Sequence, residues 1–324
     1  MVLQKSYKGL GYLFSSFILM GCILMTFGTV FLWRDFGSAY FINQPIKEEP
    51  VDTTIAPPPS TQTLFVPSPS PTDTLTPTVI PYTITINTKD NAEMVLVPSG
   101  EFTMGSDQAT DPYFWGAEGP SHTVSLDSYY IYRTEVTNAM YQACVNVKAC
   151  PKPAQISSAT RDDYYVNPQY SNYPVIYVSW VGAVSYCKWV EAKLPTEAQW
   201  EKAARGTDRR VFPWGNDNPT ASLLNFSSRD TTAIGSFPQG ISPYGALDMA
   251  GNVLEWVNDR FQSDYYSVSP LENPIGPAGT DRRVIRGGAW HHTDISALRT
   301  VARASLKETY TGNDIGFRCV VTSP

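Results

Sequence analysis

A long uncharged apolar segment near the N-terminus most constrains how this chain can fold. From Leu10 to Trp33 the sequence contains no charged residue. At a rise of about 1.5 Å per residue, a helix of this length crosses a hydrocarbon core of about 30 Å. We therefore predict one transmembrane helix over residues 10–33. Two alternatives remain open: a cleaved signal peptide, whose apolar region runs about 7–15 residues, and a lipoprotein modified at Cys22.

The charges that flank this segment indicate its orientation. Lys5 and Lys8 precede it, whereas Arg34 and Asp35 follow it. Positive residues favour the cytoplasmic side of a membrane. We therefore expect residues 1–9 in the cytoplasm and the remainder of the chain outside the cytoplasmic membrane, in a compartment where cysteines form disulfides.

The composition of residues 34–86 predicts a stalk. Ten prolines lie between Pro45 and Pro81, mixed with Ser and Thr. Proline removes a backbone donor and favours the extended polyproline II conformation, so such a segment forms a semi-rigid spacer rather than a core. The sequence thus predicts a disordered stalk followed by one folded domain over residues 87–324.

The charge balance argues against nucleic acid as a partner. The net charge is −6 and the pI is near 5.1, whereas recognition of a phosphate backbone requires clustered Lys and Arg. The sequence also contains no phosphate-binding glycine loop and no Gly-x-Ser-x-Gly nucleophile motif. We therefore expect neither nucleic-acid binding nor these two kinds of catalysis.

The folded segment begins with strand-like sequence. Met94–Pro98 and Phe102–Gly105 are predicted as two strands across a turn. Two similar segments follow at His122–Leu126 and Tyr129–Tyr132. After Gly206 the sequence predicts mostly loops.

Three helices are predicted between these strands and Gly206. The first starts at Thr137 or Asn138, either of which can cap it. The second runs from Trp180 to Ala192 behind the capping residue Ser179. The third follows Thr196 and ends at Gly206, as expected for a C-terminal glycine.

A series of short motifs runs through residues 90–322 in a fixed order. Together they resemble the sulfatase-modifying-factor family, to which the formylglycine-generating enzymes belong. The motifs are Met94-Val-Leu-Val-Pro98, Met104-Gly-Ser106, Glu135-Val-Thr-Asn138, Val178-Ser-Trp180, Leu194-Pro-Thr-Glu197, Pro213-Trp-Gly-Asn216, Gly251-Asn-Val-Leu-Glu-Trp256, Arg286-Gly-Gly288 and Gly316-Phe-Arg-Cys319.

The resemblance implies an α+β domain related to the C-type lectin fold, with little regular secondary structure. Cys187 and Cys319 match the two halves of a disulfide in the family's enzymes. Cys144 and Cys150, six residues apart, are expected to form a local bridge. The alternative for both pairs is free buried thiols.

The resemblance also implies bound structural calcium. Calcium takes six to eight hard oxygens from carboxylates, amides and backbone carbonyls. The family's calcium motif matches Asn252 and Glu255. A second site is matched less completely by Asn225 and Asp230. The alternative is that Asn252 only forms a turn and Glu255 an ion pair.

The residues that carry the family's oxidation chemistry are absent. The characterised oxidases of the family use a copper-binding cysteine pair shortly after Arg-Gly-Gly, since soft thiolates select Cu(I). Counted from Gly288, the first position falls on His292 and the second near Ala297, while a family serine becomes Ala289. We therefore do not expect copper or formylglycine synthesis here.

The expected function is a non-catalytic binding or accessory module. Its ligand would be a peptide, a glycan or a surface protein, held in the groove that binds substrate in the enzymes, near Trp290, His291 and His292. Further aromatic candidates for that groove are Tyr164, Tyr165, Tyr170, Tyr173, Tyr265 and Tyr266.

Two alternatives to that function stay open. One is an oxidoreductase of the formylglycine-generating or sulfoxide-synthase type, acting on a protein or a small thiol with altered metal chemistry at the adjacent histidines, since imidazole binds Cu, Fe and Zn. The other is a purely structural subunit of a membrane complex.

Overall fold

The computed structural model describes residues 82–322, so the predicted transmembrane helix over residues 10–33 and most of the stalk lie outside the described residues. Between residues 82 and 322, no helix has the length and apolar character needed to span a membrane. In chain order the elements are β1 (Ile84–Ile86), β2 (Glu93–Val97), β3 (Gly100–Met104), β4 (His122–Leu126), β5 (Tyr129–Tyr132), α1 (Asn138–Asn146), α2 (Trp180–Trp189), α3 (Glu197–Arg205), β6 (Leu254–Arg260), β7 (Arg282–Arg286), β8 (Arg303–Lys307), β9 (Ile315–Phe317) and β10 (Val320–Thr322).

The strands form a four-stranded sheet in the order β1-β2-β5-β10, a two-stranded sheet of β3 and β4, and a second four-stranded sheet in the order β8-β7-β6-β9. All pairs are antiparallel except β6 with β9. With three short helices beside them, the described residues form a mixed α and β fold of few helices.

The domain begins earlier than the sequence predicted. In β1, Ile84 lies opposite Val95 and Ile86 lies opposite Glu93. The predicted end of the stalk at residue 86 is therefore wrong, because the alternation of Ile and Thr in residues 84–86 already forms an edge strand.

The two strands predicted across a turn are both present but join different sheets. β2 pairs with β1 and β5, whereas β3 pairs with β4, where Phe102 faces Val124. Gly100 adopts φ +122 at the start of β3, a conformation that glycine tolerates better than other residues. The chain changes sheet at this turn instead of forming a hairpin.

The three predicted helices are confirmed together with their caps. The hydroxyls of Thr137, Ser179 and Thr196 each accept a backbone N–H at the start of α1, α2 and α3. In α3, the side-chain oxygen of Gln199 accepts a hydrogen bond from the Thr196 N–H, which completes a capping box. α2 ends at Trp189, earlier than the predicted Ala192.

The segment after Gly206 is more regular than predicted. It contains five strands, three of which carry arginines at their ends or throughout. Arg286 and Arg303 are buried there in ion pairs. Most of this segment lies outside strands and helices, as predicted. The strands themselves were not predicted, because buried charges hide the apolar alternation by which a strand is normally recognised.

Both predicted disulfides, Cys144–Cys150 and Cys187–Cys319, are present. The second joins α2 to the segment between β9 and β10, across 132 residues of sequence. Its sulfurs lie in a core cluster with Trp256 and Phe317. It thus fixes the helical layer to both four-stranded sheets.

Candidate functional site

A cavity of about 250 Å³ lies beside the Gly287–Gly288 turn. Its walls come from β7 and β8, the Gly287–Gly288 turn, the segment that follows it, and the loop over residues 113–118. His292 and Ala297 both line it. The structure therefore brings together the two positions that the sequence assigned to lost catalytic residues, and we call this the His292 cavity.

The imidazole of His292 is held in one orientation. Its Nδ1 accepts the backbone N–H of Ala289 at 2.8 Å, so a neutral ring carries its proton on Nε2. Burial and, second, the adjacent His291 lower the pKa of His292. At neutral pH the ring is therefore uncharged, with Nε2 as a hydrogen-bond donor.

The other two predicted groove residues, Trp290 and His291, do not line the His292 cavity. Trp290 donates from Nε1 to the Asn313 carbonyl at 3.1 Å. His291 is exposed, stacks on His292 with ring centroids 4.5 Å apart, and lies 4.0 Å from Asp314. They support the turn rather than the cavity wall.

Aromatic walls come from residues that sequence reasoning missed. Tyr113 and Trp115 line the cavity, and 45% and 52% of their surfaces are exposed. Of the predicted aromatics, Tyr164, Tyr165 and Tyr266 are buried in cores instead. The run Tyr113-Phe-Trp115 between two strands was the available signal, since large aromatics in a loop often serve binding.

The floor of the cavity is charged but internally paired. Arg299 lines it and bonds both oxygens of Glu118, at 2.8 and 3.0 Å, as well as Asp111. Burial raises the pKa of Glu118 despite the nearby Arg299 charge. The guanidinium of Arg299 is thus committed to protein acceptors.

A second set of buried charges lies between α3 and the cavity. Arg303 binds Glu197 through two bonds of 2.7 Å, and Arg286 binds Glu201 at 2.5 Å. All four side chains are buried. Removing one member of such a set leaves an uncompensated charge, which is strongly destabilising. The cluster therefore fixes the cavity-lining Arg286 and Arg303 in place.

The predicted calcium ligand Glu255 is engaged by protein donors. Its two oxygens each receive a bond of 2.7 Å from Arg318, and Oε2 also accepts from Trp200 Nε1 at 2.9 Å. As arranged, these donors occupy the positions that a cation would take at Glu255.

Asn252, the other residue of this motif, lies in an amide network. Its Oδ1 accepts from Asn225 and from the Thr232 N–H, and its Nδ2 donates to Glu135 at 3.0 Å. Asn252 adopts φ 58, which asparagine tolerates better than most residues. Asn252 thus links Asn225 to Glu135 across the turn.

Asp230, predicted at the second calcium site, also binds donors. Its carboxylate accepts from Ser158, twice from Thr160, and from Arg161 at 3.1 Å. Although burial alone would raise the pKa of Asp230, these hydrogen bonds hold it below its usual value. Asp230 therefore does not fit a calcium ion as arranged, because its carboxylate already serves the loop over residues 158–161. Asn225 is tied to it through Nδ2, which donates to the Asp230 carbonyl at 3.0 Å.

The surroundings of the Asn252 turn fit a cation better. Oε2 of Glu135 is buried without a hydrogen-bond partner among the described residues. Burial and the neighbouring Asp248 carboxyl raise the pKa of Glu135 well above its usual range. Glu135, Asp248 and Glu255 thus share one guanidinium, that of Arg318, and the surplus negative charge needs a proton or a metal.

Side chains alone do not complete a metal site in this region. Between residues 82 and 322, no three His, Cys, Asp or Glu side chains are grouped closely enough to hold a metal ion. A cation at the turn would therefore need backbone carbonyls as well, which calcium accepts readily.

Comparison with known protein families finds a match over this domain. Residues 83–323 match the model of the sulfatase-modifying factor enzyme 1-like domain. The formylglycine-generating enzyme of Streptomyces coelicolor is 31% identical over 279 residues, covering 69% of this chain and 88% of its own length.

Two further relatives show the range of this fold. The serine/threonine-protein kinase pkn1 of Chlamydia pneumoniae is 34% identical over 249 residues, and the match covers 70% of this chain. The chain spans only 37% of the length of that kinase. The structure of PvdO from Pseudomonas aeruginosa aligns with a TM-score of 0.64 at 25% identity, covering 74% of this chain and 97% of that one.

Proposed function

Because this chain belongs to the sulfatase-modifying factor enzyme 1-like family, we propose that its domain is a non-catalytic binding or accessory module. It recognises a peptide, a glycan or a neighbouring surface protein through the His292 cavity. In this proposal residues 10–33 anchor the chain in the cytoplasmic membrane, and the domain, related to the C-type lectins, lies outside the cytoplasm.

One observation supports this function above the others. The cavity retains walls and a fixed ring donor, yet the positions of the family's thiols are His292 and Ala297. The four cysteines of the described residues are all in disulfides, so none offers a thiolate to copper or to a substrate. A shaped cavity without its nucleophile is suited to binding.

The lining residues indicate what the cavity can hold. Nε2–H of His292 can donate to a carbonyl or hydroxyl oxygen. Trp115 and Tyr113 offer exposed ring faces, on which sugar rings and aromatic side chains stack. A volume of about 250 Å³ is below the usual range of drug-sized pockets. It therefore suits one side chain or one sugar ring of a larger ligand.

Binding arrays test this proposal. The full chain in mild detergent is applied to glycan and peptide arrays, and the affinity for each recovered ligand is then measured. Trp115→Ala and His292→Ala should each weaken binding by about tenfold. The matched controls are Tyr310→Ala, an exposed aromatic outside the cavity, and His291→Ala, the adjacent exposed histidine. Equal losses in the controls, or no ligand on either array, would count against the proposal.

A structural calcium ion at the turn over residues 251–255 is a further part of the proposal. The partnerless Glu135 oxygen and the surplus of buried carboxyls support it. Backbone carbonyls of the turn would join Glu135 as ligands, since both Glu255 oxygens already accept from protein donors. Calcium would neutralise the buried charge and stiffen the turn that leads to Trp256.

An enzyme with altered metal chemistry is the alternative. One observation favours it. His292 lines the cavity, and the ring of His291 stacks on it with ring centroids 4.5 Å apart. Metal analysis of the purified full chain decides between the two. Stoichiometric copper or iron that is lost in His292→Ala would favour the enzyme.

A further inference from the structure

We propose that a second cavity of the domain binds a small acid: a molecule with one carboxylate and an apolar body. This cavity is lined by Lys188 and Lys193, and we call it the Lys188 cavity. The inference does not depend on the function proposed for the His292 cavity, since the two cavities share no lining residue.

The two cavities lie on opposite faces of α3. Thr196 and Gln199, at the start of the helix, line the Lys188 cavity. Glu197 and Glu201 bind Arg303 and Arg286, which line the His292 cavity. At 100° per residue, these two pairs of positions project in nearly opposite directions.

The Lys188 cavity is larger and has an apolar floor. Its volume is about 620 Å³, within the range of pockets for drug-sized molecules. The floor includes Leu126, Leu194 and Val320, none more than 5% exposed. Ile275 lines the cavity and is 69% exposed. Covering these side chains would favour an apolar ligand by removing their surface from water.

Two cations at the cavity lack partners. Neither Lys188 nor Lys193 forms an ion pair within residues 82–322, whereas Lys89 pairs with Glu191 at 3.0 Å. The side chain of Asn258, which also lines the cavity, makes no hydrogen bond among the described residues. These groups are donors without acceptors.

The one acid in the lining does not neutralise the lysines. The Asp127 carboxylate accepts a hydrogen bond from Asn273 Nδ2 at 3.1 Å, and the Asp127 backbone N–H donates to Asn273 Oδ1 at 3.0 Å. The Asp127 carboxylate is therefore bonded to a neutral amide. The lining therefore combines an apolar floor with an excess of one positive charge, in a chain whose net charge is −6.

That combination selects the chemistry of the ligand. An apolar body fits the floor, and a carboxylate beside the ammonium group of Lys188 or Lys193 would gain charge-assisted hydrogen bonds, which are stronger than neutral ones. A cation of the same shape would meet Lys188 and Lys193 instead. The carboxylate could belong to a fatty acid or to an aromatic acid, and the two differ only in the body.

Calorimetry of the full chain in non-ionic detergent tests the inference. Octanoate and 2-naphthoate are the two acidic probes, and octyltrimethylammonium is the probe of opposite charge. Saturable binding of at least one acid is expected, weakened about five- to tenfold in Lys188→Gln/Lys193→Gln. The probe that binds more tightly, octanoate or 2-naphthoate, indicates whether the natural ligand has an acyl or an aromatic body.

The matched control is Lys148→Gln/Lys152→Gln, which removes two exposed lysines that do not line the cavity. Each variant is titrated in the same detergent, so partition of the probe cancels in the comparison. Lys188 and Lys193 are exposed, so their replacement should leave Tm unchanged, and this is measured first. Equal binding of the ammonium probe, equal affinity in both double variants, or no saturable binding of either acid would overturn the proposal.

Discussion

Arg318 bonds both carboxylate oxygens of Glu255, each at 2.7 Å, and both side chains are at most 1% exposed. The same guanidinium reaches the carbonyls of Tyr132, Arg133 and Leu247. This pair therefore links β6 to the end of β5, to the segment between β9 and β10 that carries Arg318, and to Leu247 in the loop before β6. Loss of the Arg318–Glu255 pair should therefore lower the stability of the whole domain.

We expect Arg318→Met to lower the free energy of unfolding by about 3–5 kcal/mol, because Glu255 would remain buried without its cation. Replacing both residues, as Glu255→Met/Arg318→Met, should recover much of that loss. Urea unfolding provides the measurement. Arg210→Met, which breaks the more exposed pair with Asp208, is the control and should cost at most about 1 kcal/mol. Equal costs in Arg318→Met and Arg210→Met would contradict the prediction.

Asp259 should make the domain less stable as pH rises. Burial, with repulsion from Glu197 second, raises the pKa of Asp259 to about 8. The folded state therefore holds a proton that the unfolded state releases near pH 4, so this stabilisation is complete below pH 4 and is lost as pH rises towards 8.

We expect Asp259→Asn to reduce the fall in unfolding free energy between pH 5 and 8, because the amide cannot ionise. One group contributes a slope of at most about 1.4 kcal/mol per pH unit. Unfolding in urea at several pH values measures it, with the exposed Asp217→Asn as control. An unchanged slope in Asp259→Asn would show that this carboxyl does not titrate in that range.

The two disulfides should differ in their effect on stability. In the chain-entropy model, opening the loop closed by Cys187–Cys319 costs about 4–5 kcal/mol, against about 2–3 kcal/mol for the short Cys144–Cys150 loop. We expect Cys187→Ser/Cys319→Ser to lower Tm more than Cys144→Ser/Cys150→Ser. Calorimetry of the two double variants compares them, and the reverse order would contradict the entropic argument.

Calcium should raise Tm at neutral pH, because it would neutralise the carboxyls around the Asn252 turn. Thermal unfolding in calcium and in EGTA measures the difference. Glu135→Gln should remove most of that difference, whereas Asp230→Asn should keep it, since Asp230 already binds protein donors. If calcium does not change the Tm of the unaltered chain, protons rather than calcium neutralise the surplus negative charge.

Local signals in the sequence were sufficient for the helices. Thr137, Ser179 and Thr196 each act through the backbone N–H three residues further along the chain, so their roles depend on near neighbours. The Cys187–Cys319 pair was assigned through the family resemblance, and the Cys144–Cys150 pair from its short spacing in the sequence.

The rest depends on contacts between residues far apart in sequence. Arg303 reaches Glu197 across 106 positions, and no local pattern reveals that a charged strand residue will be buried. Asn252 with Glu255 and Asn225 with Asp230 were predicted as two separate sites, whereas the Asn225 amide bonds both Asn252 and the Asp230 carbonyl. The donors to the Asp230 carboxylate come from a distant loop, through Ser158 and Thr160. Trp115 was overlooked because an exposed aromatic looks the same in sequence as a buried one.

The order of the first sheet has a mechanical consequence. β1 lies at one edge of this sheet and pairs with β2 through three residue pairs. β10 lies at the other edge and directly follows Cys319, which is joined to α2 by the disulfide with Cys187. A pull applied at Tyr82 would load the pairs of β1 one after another, as in opening a zipper. Beyond β1 the force would act on β2 inside the sheet. The Cys187–Cys319 disulfide would then limit how far the chain could be extended.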